Sequence, residues 1–191
     1  MPKPLKFAIC AAVLLLLGVS AQGTAANWRA ESTVDPPALT SGSLALLAGG
    51  EAKYQFLELA GSELIPGSFT QAPLQISNAG TVDLSYQLNG AVNSAASPSS
   101  ADQALAGALR LSVYAGMDPA ACEADQPLAG EALYAGPLGS AASFASARVL
   151  GAEPVPESES LCVRVSVPSG AAQSAAGGRV ELALKFAGQQ R

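Results

Sequence analysis

The chain has 191 residues, of which 49% are hydrophobic and 13% are charged, with 3 cysteines and no histidine. Without histidine, a Ser-His-Asp triad, a Cys-His dyad and any metal site built on imidazole are excluded. Acidic residues outnumber basic residues by 15 to 10. Because nucleic-acid binding needs a basic surface, we expect no nucleic-acid partner.

Residues 1–26 have the three-part pattern of a secretory signal peptide. Lys3 and Lys6 precede an apolar core at 7–19, and small residues follow that core. A membrane-spanning helix needs about 20 apolar residues, and this core is shorter. The pattern therefore predicts an N-terminal signal helix that contacts the membrane only before it is cleaved.

The expected cleavage site lies between Ala26 and Asn27, after the small residues that signal peptidase prefers. Cleavage before Gln22 is an alternative. The remaining length suits one domain, so 27–191 is predicted to be a single secreted β-sandwich domain, free or associated with the cell surface. Signal peptidase is an expected partner during export.

Alternating apolar and polar residues dominate the mature chain and predict β-strands with one buried face. The longest alternations lie at 82–89, 161–167 and 180–186. Shorter strands are predicted at Leu44–Ala48, Tyr54–Leu59, Pro73–Ser77, Leu109–Ala115 and Phe144–Leu150. Many short strands separated by turn residues predict an all-β fold, an antiparallel β-sandwich of jelly-roll type.

Three connecting segments carry their own signals. Asn78-Ala79-Gly80 is typical of a hairpin turn in which the glycine supplies a positive φ. Ser100–Leu109 predicts a short helix, with Ser100 as N-cap and Gln103 completing a capping box. Gly151–Ser160 is acidic and contains proline, so we expect an exposed connection.

Cys122 and Cys162 are the two cysteines outside the signal segment. In an exported domain such a pair predicts one disulfide, with two free thiols as the alternative. Cys162 lies on the polar side of its strand together with Arg164. The disulfide is therefore expected to hold the Asp118–Gln126 loop against the outside of the sheet and to leave the core aliphatic.

Nothing in the pattern of chemically active residues indicates catalysis. Two cysteines without histidine are too few for a metal site. Asp118, Glu123 and Asp125 lack the spacing of an EF-hand loop, which leaves Ca²⁺ a minor alternative. The strand acids Asp83 and Glu181 lie on the polar side of their strands. We expect no catalytic residue, no cofactor and no metal.

Several motifs follow one another along the chain in a particular order: Gly23–Trp28, Ala38–Leu46, Leu64–Ser68 and Ile76–Thr81. This order resembles the exported proteins processed by the SipW-type alternate signal peptidase, the family of TasA and camelysin. The stretches at 161–165 and 180–187 resemble its actinobacterial branch. The resemblance covers the signal, 27–90 and, less closely, 160–188, and it implies a secreted jelly-roll domain.

In fibre-forming members of that family, a segment after the signal acts as a donor strand in the next subunit. The corresponding candidate here is Asn27–Leu47, and the alternative is that Leu44–Leu47 forms the first strand of its own sheet. The metallopeptidase label of camelysin-type members is not carried over, because the chain has no His-Glu-x-x-His motif.

The sequence thus favours a secreted, non-enzymatic structural protein, a subunit of an extracellular matrix or surface filament. Its expected partners are further copies of itself or sister exported proteins. The alternative is a cell-surface binding module or adhesin that uses the loops at 90–108 and 116–142. Tyr114 and Tyr134 are then aromatic anchors, unless they pack in the core.

Overall fold

The computed structural model describes residues 42–56, 59, 64–152 and 157–191. The predicted signal helix, the cleavage site between Ala26 and Asn27, and most of the donor-strand candidate lie outside the described residues.

Antiparallel strands make up most of the described chain. They are β1 (Leu46–Ala48), β2 (Phe69–Asn78), β3 (Leu84–Asn93), β4 (Arg110–Ala115), β5 (Glu131–Pro137), β6 (Gly139–Ser143), β7 (Arg148–Leu150), β8 (Ser158–Ser166) and β9 (Leu182–Gln190). Two short helices, α1 (Ser100–Ala108) and α2 (Pro119–Glu123), and a 3₁₀ turn at Gln173–Ala175 accompany them. The prediction of an all-β fold with antiparallel pairing is confirmed.

The strands form two sheets. The five-stranded sheet has the order β1-β2-β8-β4-β5. In the four-stranded sheet, β3 pairs with β9 along one side, and with β7 and β6 in succession along the other. Every pairing between these strands is antiparallel.

One hydrophobic cluster contains buried side chains of both sheets, because alternate residues of each long strand point to the same side. Its largest fully buried members are Tyr86, Ile76, Leu84, Leu88, Leu111, Leu161, Val113 and Val163. The expectation of a purely aliphatic core is wrong. Tyr86, Phe144 and Phe186 form a triangle of rings with centroids 6.2–6.3 Å apart, at separations typical of favourable aromatic contacts.

The predicted hairpin at Asn78-Ala79-Gly80 is wrong, since β2 and β3 belong to different sheets. Asn78 is fully buried and organises the crossing. Its Nδ2 donates to the carbonyl oxygens of Val82 and Leu150 at 2.9 and 3.2 Å, and its Oδ1 accepts from the Gly80 N–H at 2.9 Å. The buried amide therefore uses both its ends to fix the path between the sheets.

Gly80 is required by a close approach of the backbone and does not have a positive φ. A Cβ at this position would lie 2.3 Å from the Ser43 carbonyl oxygen and 2.9 Å from the Ala45 nitrogen. The segment before β1 crosses here, and the N–H groups of Ala79 and Thr81 donate to Ala45 and Ser43 at 2.8 and 2.9 Å. The missing side chain lets the first strand reach its sheet.

Other differences concern segments with weak alternation. Tyr54–Phe56 is not a strand, and the rest of that predicted strand is described only at Leu59. The predicted loop at 116–142 contains α2, β5 and most of β6, whose Ala, Gly and Ser residues show little apolar contrast. The helix α1 is confirmed, but its capping box is made by Ser99 and Asp102, one residue earlier than predicted.

We predict that Gly80→Ala destabilises the protein by about 1–3 kcal/mol, because the added methyl displaces the crossing segment. Gly170→Ala is the matched control, since a Cβ there meets no atom within 4 Å and its φ is not positive. The control is expected to stay within about 0.5 kcal/mol of wild type in urea unfolding. Equal unfolding curves for the two variants would contradict the requirement for glycine at position 80.

Candidate functional site

The disulfide between Cys122 and Cys162 is present, as the sequence predicted. Their Cα atoms are 5.8 Å apart, within the usual range for a disulfide, and both residues are buried. With Met117 they form a small hydrophobic cluster separate from the main core. The predicted placement is confirmed: the bond ties α2 to the polar side of β8, and such bonds are typical of proteins that fold in an oxidising compartment.

A polar network surrounds this disulfide and immobilises the loop after α2. The buried Gln71 on β2 donates from Nε2 to the carbonyl oxygens of Cys122 and Gln126 at 2.8 and 3.1 Å. Arg164 donates to Gln71 Oε1 at 2.6 Å and to the Gln126 carbonyl at 3.0 Å. Its guanidinium lies 4.1 Å from the centre of the Phe69 ring, a cation–π distance. Burial lowers the pKa of Arg164.

Removal of the disulfide by Cys122→Ala/Cys162→Ala is expected to lower the free energy of unfolding by about 4 kcal/mol, because the bond closes a loop of 40 residues. Urea unfolding followed by circular dichroism measures this loss. A reductant is expected to change the wild-type midpoint and leave that of the variant unchanged. A variant with the same midpoint as oxidised wild type would contradict the structural role of the disulfide.

A second polar group connects the two sheets. Tyr86 on β3 donates from its hydroxyl to Glu159 Oε2 on β8 at 2.5 Å. Arg148 on β7 binds both oxygens of Glu159, at 2.5 and 3.3 Å. It also donates to Glu131 on β5 at 2.8 Å. We call Tyr86, Arg148, Glu159 and Glu131 the inter-sheet ion cluster.

The inter-sheet ion cluster corrects the prediction that 151–160 is an exposed connection, because Glu159 lies within β8 and its side chain is only 18% exposed. Burial, followed by the bond to Glu159, raises the pKa of Tyr86. The bond to Glu159 raises the pKa of Arg148. Each charged group of the cluster thus has a partner of opposite charge, an arrangement suited to holding the sheets together.

Burial raises the pKa of Tyr86 in the folded protein above its ordinary value near 10. The neutral hydroxyl therefore stabilises the folded state fully below pH 10, and this contribution decreases as the pH rises further. We expect this group to reduce the free energy of unfolding by up to about 1.4 kcal/mol per pH unit in that range. Tyr86→Phe is expected to remove this part of the slope.

Ultraviolet titration of phenolate gives an independent measurement. Folded wild type and folded Tyr86→Phe are expected to form equal numbers of phenolates, whereas denatured wild type forms one more than the denatured variant. An extra phenolate in the folded wild type would contradict the burial of this hydroxyl.

The other residues considered from the sequence have structural roles. Asp118 caps α2 by accepting from the N–H groups of Ala120 and Ala121 at 2.8 and 3.4 Å. Tyr134 packs partly against the main core and donates to the Pro137 carbonyl at 2.7 Å, whereas Tyr114 is half-buried opposite Cys162. Within the described ranges, no three His, Cys, Asp or Glu residues are grouped to hold a metal.

An uncharged polar groove lies on the outer face of the four-stranded sheet. Its lining includes side chains of Ser85, Gln87, Asn89, Ser143 and Gln189. Gln87 is held in place by bonds from Nε2 to Ser143 Oγ at 2.7 Å and to the Phe144 carbonyl at 3.0 Å. Amide and hydroxyl groups of this kind can bind a neutral polar ligand.

The edge of β9 is the longest unpaired strand edge in the described chain. Among the described residues β9 pairs only with β3. The flanking bonds, from the Ser94 N–H to the Glu181 carbonyl and from the Arg191 N–H to the Asp83 carbonyl, are 2.8 and 3.1 Å long. Because hydrogen-bonding direction alternates along a strand, the odd-numbered residues of β9 bond to β3. The backbone groups of the even-numbered residues point outward, namely those of Leu182, Leu184, Phe186, Gly188 and Gln190.

Features that discourage pairing occur at the other described edges. β1 and β7 have three residues each, and β6 has five. Where β2 extends past β1, Pro73 lies at a position whose N–H would point outward, so no donor is present there. β5 has a bulge opposite Val113–Tyr114 and ends at Pro137. β9 is nine residues long and contains no proline and no bulge of its own, and its one charged residue is Lys185.

Comparison with known proteins does not identify the chain: no family model and no curated protein matches it. Among the described residues, no helix has the length and apolar character needed to cross a membrane. The uncharged groove and the edge of β9 are therefore interpreted from their own geometry.

Proposed function

We propose that this protein is a secreted, non-enzymatic structural subunit that assembles into an extracellular matrix or surface filament. In this proposal its domain is a β-sandwich of jelly-roll type, exported by a signal peptide cleaved near Ala26–Asn27. It functions by contact with further copies or with sister exported proteins, as the TasA/camelysin resemblance implies.

The observation that carries the proposal is the unpaired edge of β9, nine residues long, beside edges that carry blocking features. An unpaired edge binds another strand through backbone hydrogen bonds, and repeated binding of this kind builds assemblies. The buried disulfide and the inter-sheet ion cluster support the same function, because they stiffen the domain that presents this edge.

The pairing of β1 with β2 shortens the part of Asn27–Leu47 that can act as a donor strand. In this chain Leu46–Ala48 pairs with β2, and hydrogen bonds to β2 and the residues after it extend from Ser43 to Gly49. The alternative that Leu44–Leu47 forms the first strand of its own sheet is therefore correct for Leu46 and Leu47. In the proposal, only residues upstream of Ser43 act as a donor strand.

A second candidate is a binding module for a neutral polar ligand such as a glycan. The uncharged groove on the four-stranded sheet favours it, since glycan hydroxyls bind amide and hydroxyl side chains. This candidate uses the face of the sheet, not the loops at 90–108 and 116–142.

The full chain, exported into an oxidising compartment where its disulfide forms, is expected to form assemblies visible by electron microscopy and light scattering. Leu39→Asp is expected to shorten or abolish them, because a donor strand buries its apolar side chains in the next subunit and burial of an unpaired carboxylate has a large desolvation cost. Ser41→Asp adds the same charge nearby and is the control, expected to assemble normally. A wild-type protein that is monomeric at every concentration and salt tested would refute the structural function.

A further inference from the structure

We propose that the edge of β9 binds β9 of a second copy, antiparallel and across a two-fold axis at Phe186. This inference rests on the proposed structural function and names the partner and the surface of one contact. This contact between the two β9 strands joins the two four-stranded sheets into one continuous sheet.

The register follows from which backbone groups are free. In a strand paired with itself about a two-fold axis, the outward-pointing even-numbered residues must oppose one another to exchange both hydrogen bonds. An axis at Phe186 meets this condition and uses all of β9: Phe186 opposes itself, Leu184 opposes Gly188, and Leu182 opposes Gln190. An axis at Leu184 also meets it but leaves the end of β9 opposite residues outside the strand.

Charge disfavours the neighbouring register whose axis lies at Lys185. An axis at Lys185 places the two lysines opposite each other with about 4.5 Å between Cα atoms, a like-charge pair that destabilises the sheet. With the axis at Phe186, Lys185 instead opposes the exposed Ala187 of the second copy. The single lysine of this edge therefore disfavours one competing register and is compatible with pairing about Phe186.

The side chains on the inner face support the same arrangement. Leu182, Leu184 and Phe186 pack against the core but are only partly buried, as expected for apolar residues at an unfinished edge. Gly188 has no side chain, and Leu46 lies 3.4 Å from the position of a Cβ there. The leucine at 184 of one copy thus opposes the smallest residue of the other, and pairing covers the exposed parts of both Phe186 rings.

Engineered cysteines test this register directly. Ala183 opposes Gln189 of the second copy in a non-hydrogen-bonded pair, at a distance that a disulfide spans. Within one chain the two residues are six positions apart, about 20 Å, so they cannot bond to each other. Full-length Ala183→Cys/Gln189→Cys is expected to form a covalent dimer that a reductant dissociates.

The single variants Ala183→Cys and Gln189→Cys are the matched controls, because each engineered thiol lies about 20 Å from its own copy across the axis. Both are expected to remain uncrosslinked on non-reducing gels. A double variant that gives no dimer, or single variants that crosslink equally, would overturn the proposal. The second outcome would indicate a different register or another occupant of the edge.

Charge variants at Ala187 provide a test that does not depend on cysteine chemistry or on refolding of the cysteine variants. Ala187→Glu places a carboxylate opposite Lys185 and is expected to tighten the dimer at least about twofold, whereas Ala187→Lys is expected to weaken it by a similar factor. Sedimentation velocity measures both dissociation constants, and equal values for the two variants would overturn the proposal.

The two proposals fail separately. If the Ala183→Cys/Gln189→Cys variant assembles but forms no 183–189 crosslink, the β9 contact is refuted and the structural function stands. Crosslinked dimers that never assemble further would support the β9 contact and refute the matrix or filament function. A wild-type chain that is monomeric at every concentration reached would overturn both.

Discussion

The backbone of an edge strand carries donors and acceptors on a side that its own sheet does not satisfy, and this constraint shapes the surface of the protein. Short strands, a proline at position 73 and a bulge in β5 reduce the number of accessible groups at most described edges. β9 is the exception, with nine regular residues and one lysine. The place where the constraint is left unmet is the place where we expect a second chain.

The domain that presents this edge is held by polar groups as well as by its apolar core. Asn78 fixes the crossing between β2 and β3, and Glu159 connects Tyr86 and Arg148 across the sheets. A buried polar group is stable only when its partners are in place, so these contacts favour one arrangement of the sheets. The disulfide acts on the opposite face of the five-stranded sheet, where it secures α2.

Much of the fold was predictable because strands with strong alternation identify their own buried face. The prediction placed the strand from Leu84 and the helix at 100–108 within a few residues of their observed bounds. It also placed Cys162 on the correct side of its strand. β5 and β6 were missed because alanine, glycine and serine give little contrast between the two faces. Glu159 was misplaced because an acidic residue next to prolines has the local pattern of a loop, and only its contact with Arg148 makes it suitable for a strand.

Composition and periodicity alone determined an all-β chain with one disulfide and no histidine chemistry, because these properties depend on residue type and near neighbours. The tertiary structure decided which sheet each strand joins, why Gly80 must be glycine, and which strand is left at an unpaired edge. These depend on contacts between residues far apart in the chain, such as Ser43 with Thr81 and Leu46 with Gly188. Local sequence carries no record of such contacts, so the candidate surface became visible only in the folded chain.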